Sequence, residues 1–130
     1  MKTLNVAIIG TKFMGKAHSN AWLNSPHFFD MPARPVLKVA CGQDREALAQ
    51  FATTWGWEEI ETDWRKVVAR PDIDIVDISL PQNLHHEVAL AAAKAGKHIF
   101  CEKPIAMNLQ QAEEMLAAAQ AAGIVHYLNH

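Results

Sequence analysis

The chain has 130 residues, half of them apolar and a fifth charged, which is enough for one compact domain with an ordinary core. Its formal net charge of -2 comes from scattered charges of both signs, which excludes a basic nucleic-acid surface and a polybasic membrane segment. Cys41 and Cys101 lack metal-binding spacing and are expected to be reduced core thiols. The apolar runs are too short for a signal peptide or membrane span, so we expect a soluble, cytoplasmic protein.

Apolar runs and helical periodicities alternate regularly along the chain. Strands are predicted at residues 4–10, 36–41, 60–62, 73–80, 98–101 and 124–128. Helices are predicted at residues 14–23, 44–56, 63–69, 84–96 and 108–123, with Asp44, Asp63 and Asn108 as caps. Strands rich in β-branched residues that alternate with helices predict an α/β fold, a doubly wound and mostly parallel sheet (Rossmann fold) of about six strands, with helices on both faces.

Residues 25–35 interrupt this alternation. Three prolines predict that the segment has no regular structure, while Phe28, Phe29 and Met31 favour burial. The segment is either a loop that packs on its own domain or a contact surface for another domain or subunit.

A glycine-rich turn follows the first predicted strand. A dinucleotide fingerprint needs one glycine for the turn, a second for the approach of the pyrophosphate, and a third for helix–strand packing. Gly10 and Gly15 take the first and third places, and Lys12 takes the second, where its ammonium can pair with a phosphate. With Phe13 and Met14 between them, these residues predict a nucleotide site, and a purely structural turn is the alternative.

The end of the second strand is expected to face the adenosine ribose. An acidic residue there binds the ribose hydroxyls and repels a 2′-phosphate, but this chain has Gly42 instead. Gly42 leaves room, Gln43 can donate a hydrogen bond, and Arg45 can reach a phosphate or stack on adenine. Asp44 is acidic and lies nearby, but its expected role as a helix cap accounts for it. The pattern therefore favours NADP over NAD.

Polar residues also follow the fourth strand. Leu80, Pro81 and Gln82 are expected to form the turn beneath the nicotinamide ribose, with the amide of Gln82 or of Asn83 offering hydrogen bonds. His85 is either another cofactor contact or simply a polar residue near a helix start. His18, on the first helix, is expected to be a packing or capping residue. Ligand spacing supports no metal site, and none is expected.

A charged turn, Glu102-Lys103-Pro104, ends the fifth strand. Hydride transfer from an alcohol requires removal of the hydroxyl proton, and a lysine at the ligand crevice can take that proton or donate a hydrogen bond to the substrate oxygen. Glu102 can orient the ammonium or bind the nicotinamide ribose. A solvated ion pair is the alternative reading of this turn.

Residues 8–18, 81–85 and 96–104 together resemble the Gfo/Idh/MocA oxidoreductases, over that family's N-terminal NAD(P)-binding domain. The resemblance implies NAD(P)-linked oxidation or reduction of a sugar, cyclitol or related polyol, with Lys103 in the catalytic centre. It also implies homo-oligomers that form largely through a C-terminal sheet domain. Lys12, Gly42, Leu80 and Gln82 depart from the family pattern and leave cofactor details open.

On this resemblance, residues 1–130 form the dinucleotide-binding domain of a longer enzyme, and the substrate and oligomerisation domain lies outside them. The family's catalytic Asp and His belong to that other segment, so the domain alone is expected to be inactive. The alternative function is an NAD(P)-sensing regulatory module on the same fold. Lys103 favours the enzyme, because a sensor needs no amine at the hydride site.

Overall fold

Six parallel strands and five α-helices build the computed structural model of the protein, which describes residues 2–130. The strands are β1 (Lys2–Ile9), β2 (Ala33–Cys41), β3 (Glu59–Glu61), β4 (Ile75–Ile78), β5 (His98–Glu102) and β6 (His126–Asn129). The helices are α1 (Phe13–Phe28), α2 (Arg45–Trp55), α3 (Trp64–Val68), α4 (His85–Lys94) and α5 (Leu109–Ala122). A single 3₁₀ turn, Gln82–Leu84, leads into α4. The predicted α/β fold is confirmed.

The strand order fixes where a ligand can bind. The sheet runs β3-β2-β1-β4-β5-β6, and every neighbouring pair is parallel. The order therefore reverses between β1 and β4. In an open parallel sheet, ligands bind outside the carboxyl ends of the strands at such a reversal. The turns after β1 and β4 meet at this point.

Side chains alternate across β1 and supply both hydrophobic layers. Val6 and Ile8 pack with Leu48 and Phe51 of α2, whereas Ala7 and Ile9 belong to the larger cluster on the other face of the sheet. That larger cluster also takes residues of α3, α4 and α5, including Val67, Val88 and Met115. The side chains of residues 6–9 of β1 are almost fully buried on both faces, as expected for a central parallel strand.

The prediction that residues 25–35 lack regular structure is wrong for residues 25–28 and 33–35, and only residues 29–32 lie outside helix and strand. Helix α1 continues through Pro26 to Phe28, and β2 already begins at Ala33. Pro26 has no N–H for the carbonyl of Trp22, and the hydroxyl of Ser25 donates to that carbonyl instead, at 3.4 Å. Pro35 is tolerated because β3 pairs only with residues 39–41, which leaves this part of β2 with β1 as its one neighbour.

Two aromatic side chains at the end of α1 remain largely outside the core. Phe28 is 80% exposed and Phe29 is 69% exposed. Within residues 2–130 these rings therefore do not fold back onto the domain, which agrees with the contact-surface alternative better than with the packed loop.

Both cysteines are buried free thiols, as predicted. Burial raises the pKa of Cys41 and of Cys101 to about 12. Because the thiolate is the reactive form, neither residue is a nucleophile at neutral pH. Across residues 2–130, no helix combines the length and the apolar character needed to cross a membrane.

Candidate functional site

The turn between β1 and α1 lies directly against the end of β4. Gly10 has φ +112°, and a Cβ built on it would lie 2.5 Å from the carbonyl carbon and oxygen of Ser79. A Cβ on Gly15 would overlap the carbonyl oxygen of Gly10. The two glycines are thus required for backbone approach, Gly10 at the switch point and Gly15 between helix and turn.

The amino end of α1 has the character of an anion site. Helix α1 has 16 residues, its first turn contains no acidic side chain, and Lys12 occupies the cap position without a side-chain capping bond. Lys12 is exposed at this end, and Phe13 is 79% exposed next to it. Free amide groups at a helix start and an adjacent ammonium fit a phosphate group.

The first residue after β2 lies close to the turn that follows β1. A Cβ on Gly42 would lie 3.1 Å from Oγ1 of Thr11, so the space beside Gly42 is bounded by the first turn. Gln43 and Arg45 are both exposed. Asp44 caps α2 by accepting hydrogen bonds from the backbone N–H of Glu46 and of Ala47, which confirms its predicted role.

The turn after β4 is tied to the segment that follows the charged turn of β5. Leu80 is half-buried, Pro81 is exposed, and Gln82 donates from Nε2 to the carbonyl of Ala106 at 2.6 Å. The amide of Gln82, expected to face a ribose, therefore binds the backbone of a neighbouring loop through Nε2. Its Oε1 takes no part in that hydrogen bond.

His85 contacts the backbone of the same two turns, after β4 and after β5. Its ring is buried, with Nδ1 2.9 Å from the carbonyl oxygen of Pro104 and Nε2 2.7 Å from that of Leu80. Both ring nitrogens thus face backbone oxygens, and a ribose hydroxyl would have to replace one of these contacts. The geometry gives His85 a structural task that its position at a helix start did not indicate.

The charged turn itself separates a buried carboxylate from an exposed ammonium. Glu102, the last residue of β5, is 9% exposed, whereas Lys103 is exposed. The backbone N–H of Lys103 donates to the carbonyl of Asn129 in β6 at 3.2 Å. The Lys103–Pro104 peptide is cis. The hydrogen bond to β6 thus fixes the backbone of Lys103, while its side chain is exposed at the end of β5.

The histidine that the sequence predicts to be a packing or capping residue lies at the centre of this edge. His18 is 4% exposed, and its Nδ1 lies 2.8 and 3.0 Å from the two carboxylate oxygens of Asp77 in β4. Asp77 is fully buried and also accepts from Trp22 Nε1 at 2.8 Å and from Ser79 Oγ at 3.0 Å. An acidic residue inside the apolar run of β4 was the sequence signal for this cluster.

The other side of the His18 ring reaches Glu102. Nε2 lies 2.7 Å from Oε2 of Glu102, and Nδ2 of Asn129 also donates to that oxygen at 3.0 Å. Burial alone lowers the pKa of His18, but hydrogen bonds to Asp77 and Glu102, together with their charges, outweigh burial and raise it above its ordinary value. His18, Asp77, Glu102 and Asn129 therefore form one polar cluster, called here the carboxyl-edge cluster.

The structure brings the predicted residues to one edge of the sheet, at the carboxyl ends of β1, β2, β4 and β5. Close backbone approach at Gly10, an uncapped helix start and a partly free carboxylate at Glu102 fit a dinucleotide. Within residues 2–130, no group of three or more His, Cys, Asp or Glu side chains has the geometry to hold a metal ion.

Comparison with known proteins agrees with this geometry. Residues 4–130 match the model of the Gfo/Idh/MocA oxidoreductase family, NAD-binding Rossmann fold. Levoglucosan dehydrogenase from Pseudarthrobacter phenanthrenivorans is 47% identical over 127 residues, which are 97% of this chain and 33% of that protein. The 1,5-anhydro-D-fructose reductase of Ensifer adhaerens is 46% identical over 82 residues, 63% of this chain and 25% of that protein.

A solved structure of levoglucosan dehydrogenase in complex with NADH superimposes with a TM-score of 0.94 at 46% identity, over 98% of this chain and 34% of that one. The chain thus spans about a third of the length of levoglucosan dehydrogenase. The family match extends over nearly the whole chain and includes every residue of the candidate site. The chain belongs to the Gfo/Idh/MocA oxidoreductases, and its fold is that family's NAD-binding Rossmann domain.

Proposed function

We propose that this chain is the cofactor-binding domain of an NAD(P)-dependent oxidoreductase that acts on a sugar, cyclitol or related polyol, with Lys103 in the catalytic centre. The observation that carries the proposal is the position of Lys103. Its backbone is fixed to β6 through Asn129, and its exposed ammonium leaves the sheet beside the strand reversal where a ligand is expected.

The cofactor, when bound, accepts or supplies the hydride, and the residues of this chain position it. Gly10 and Gly15 admit the pyrophosphate to the amino end of α1, where free N–H groups and Lys12 favour an anion. Phe13 and Met14 border this end, and Glu102 presents a carboxylate oxygen to the nicotinamide ribose. Lys103 holds or moves the proton at the substrate oxygen.

The remaining cofactor contacts come from the turns after β2 and β4. We assign Gln43 and Arg45, both exposed, to the adenosine end, and Leu80, Pro81 and Gln82 to the nicotinamide end, with His85 supporting the latter from its buried position. No acidic side chain occupies position 42, which supports NADP over NAD. A 46% identical protein has been solved in complex with NADH, which supports a nicotinamide cofactor for this domain as well.

The names of the relatives support the proposed substrate class. Two of the most similar proteins are named for levoglucosan and for 1,5-anhydro-D-fructose, both sugar derivatives. We propose that substrate recognition belongs to a domain outside these 130 residues, and that the full-length protein is a homo-oligomer.

Substitution of Lys103 tests the enzyme directly. In the full-length protein, Lys103→Ala should lower kcat at least about 100-fold, because a positioned proton-transfer group contributes that much or more. The dissociation constant for the reduced cofactor should change by less than about threefold, since the cofactor contacts remain. Steady-state kinetics with a panel of sugars and polyols and cofactor fluorescence titration measure the two effects.

The exposed Lys66 of α3 provides the control, and Lys66→Ala should match the wild type in both measurements. A loss confined to cofactor affinity in Lys103→Ala would move Lys103 from the catalytic centre to the cofactor contacts. Tight cofactor binding with no turnover of any sugar or polyol by the wild type would support the NAD(P)-sensing module instead.

A further inference from the structure

His18 has hydrogen-bond acceptors on both sides of its ring. Nδ1 faces the carboxylate of Asp77 at 2.8 Å, and Nε2 faces the carboxylate of Glu102 at 2.7 Å. A neutral imidazole has one N–H, so it can donate to only one of the two. The double contact requires a proton on each nitrogen when both carboxylates are ionised, and His18 is then a buried imidazolium.

The two sides of the ring differ in how firmly they hold a proton. Asp77 is fully buried and receives further hydrogen bonds from Trp22 and Ser79, which keep its carboxylate in place against Nδ1. Glu102 lies nearer the solvent, with 11% of its side chain exposed. The proton on Nε2, between His18 and Glu102, is therefore the one that leaves first.

The two carboxylate oxygens of Glu102 differ in their contacts: one is bound within the carboxyl-edge cluster, and the other is not. Oε2 accepts hydrogen bonds from His18 and from Nδ2 of Asn129, whereas Oε1 accepts none within residues 2–130. Fixing one oxygen of a carboxylate leaves the other aimed in a defined direction, which suits recognition of a ribose hydroxyl. The orientation of Glu102 thus depends on two donors, one of which can be lost by titration.

We infer that His18 is a positioning residue for the nicotinamide cofactor: as an imidazolium it orients Glu102, so that cofactor affinity falls when the Nε2 proton is lost. The inference rests on the proposed function, because it takes Glu102 as the contact to the nicotinamide ribose. On loss of that proton, Nε2 becomes an acceptor 2.8 Å from Nδ2 of Asn129 and competes for the second donor to Glu102.

The loss of this proton also changes the charge beside the site. With His18 protonated, the two carboxylates and one imidazolium carry one net negative charge, and with His18 neutral they carry two. NADH is an anion, so the second charge acts against its binding. Asp77 from β4 and Glu102 from β5 are the charged groups that face His18. The neutral groups against its ring are Ser79, whose Oγ lies 3.0 Å from Nδ1, and Asn129 of β6.

The direction of the pH dependence follows from the raised pKa of His18. Affinity for NADH should be constant at low pH and should weaken as pH rises through that pKa. Over a range from about pH 6 to about pH 9.5, we expect the dissociation constant to increase about tenfold, the effect of losing one hydrogen bond between charged groups.

The experiment combines NADH fluorescence titration with nitrogen NMR of the histidine rings in the full-length protein. In the wild type, the midpoint of the affinity change should coincide with the titration of Nε2 of His18. His18→Gln should bind NADH more weakly at low pH and show no such pH dependence. His86→Gln removes another histidine paired with a carboxylate, Glu114 at 2.8 Å on the outer helices, and should retain the wild-type profile.

Glu102→Gln serves if His18→Gln does not fold. It removes one of the charges that raise the pKa of His18, so the midpoint of the His18 titration should move to lower pH. Wild-type NADH affinity that stays constant through the His18 titration, or a His18 ring neutral at about pH 6, would overturn the inference while leaving the proposed function intact. Absence of NADH and NADPH binding at every pH would reject both.

Discussion

Charged residues gather at both ends of the sheet, but burial gives the two groups different roles. At the carboxyl edge, His18, Asp77 and Glu102 are each at most 9% exposed. At the amino edge, the guanidinium of Arg70 binds Asp72 at 2.7 Å and Glu59 at 3.0 Å, with both carboxylates largely accessible to solvent. Similar distances therefore have different consequences.

The amino-edge pairs are screened by water. The hydrogen bond from Arg70 and its charge lower the pKa of Asp72 to about 2, yet exposed ion pairs contribute only about 0–1 kcal/mol to stability. Behind them, buried Lys97 donates to the carbonyls of Arg70 and Ile73 at 2.5 and 2.8 Å, and so ties the loop before β4 to β5. This edge organises connections, whereas the carboxyl edge is where an open parallel sheet is expected to bind a ligand.

The strongest test of this contrast is Asp77→Asn. An amide cannot accept from Trp22, Ser79 and His18 together, and it leaves the His18 imidazolium with only Glu102 as a charged partner. Removing one member of a buried ion pair costs about 3–5 kcal/mol. Chemical denaturation measures the free energy of unfolding, and a loss below about 1 kcal/mol would show that the buried cluster behaves like a surface pair.

Gly10→Ala tests the backbone of the same edge. Its φ of +112° and the contact with Ser79 make a Cβ unfavourable for two reasons, and we expect a loss of more than about 2 kcal/mol together with weakened cofactor binding. Gly56 also has positive φ, at +84°, but nothing lies within 4 Å of a Cβ there. Gly56→Ala should therefore cost only about 1 kcal/mol, and equal losses in a denaturation series would refute the close-approach argument.

Gly42→Asp tests how the carboxyl edge selects its cofactor. A carboxylate at this position should bind ribose hydroxyls and repel a 2′-phosphate, which should move the ratio of NADPH to NADH affinity at least about tenfold toward NADH. The added Cβ meets Thr11 Oγ1 at 3.1 Å, so Gly42→Ala is the control for crowding without charge. Paired fluorescence titrations decide, and an unchanged ratio would contradict the proposed preference for NADP.

The smallest effect is expected at the amino edge, from Asp72→Asn. This change should cost at most about 1 kcal/mol at neutral pH, because Arg70 retains Glu59 as a partner. Since the pKa of Asp72 is lowered on folding, its contribution is present above about pH 4 and declines as pH falls toward about 2. Denaturation of the wild type and of Asp72→Asn from neutral to acidic pH measures this difference. A loss of unfolding free energy as large as that of Asp77→Asn would contradict the contrast between the two edges.

Much of the site could be located from local sequence signals. The turn glycines, the caps Asp44 and Asn108, and the charged turn after β5 all lie where the pattern predicted, since each depends on residues close in the chain. The error at residues 25–35 arose because a proline is tolerated in a helix or strand when other groups compensate for its missing N–H, and the proline pattern alone does not reveal them. The hydroxyl of Ser25 and the missing β3 partner beside Pro35 make regular structure possible there.

Local patterns in the sequence predict the order of strands and helices, the edge of the sheet with the candidate site, and the family that the chain resembles. These follow from periodicity and turn chemistry, which act over a few residues. The folded structure was needed to show that His18 contacts Asp77 and Glu102, 59 and 84 residues away in the chain, and that His85 binds the carbonyls of two turns. Such contacts depend on which parallel strands lie side by side, and a pattern within a few residues does not specify that strand order.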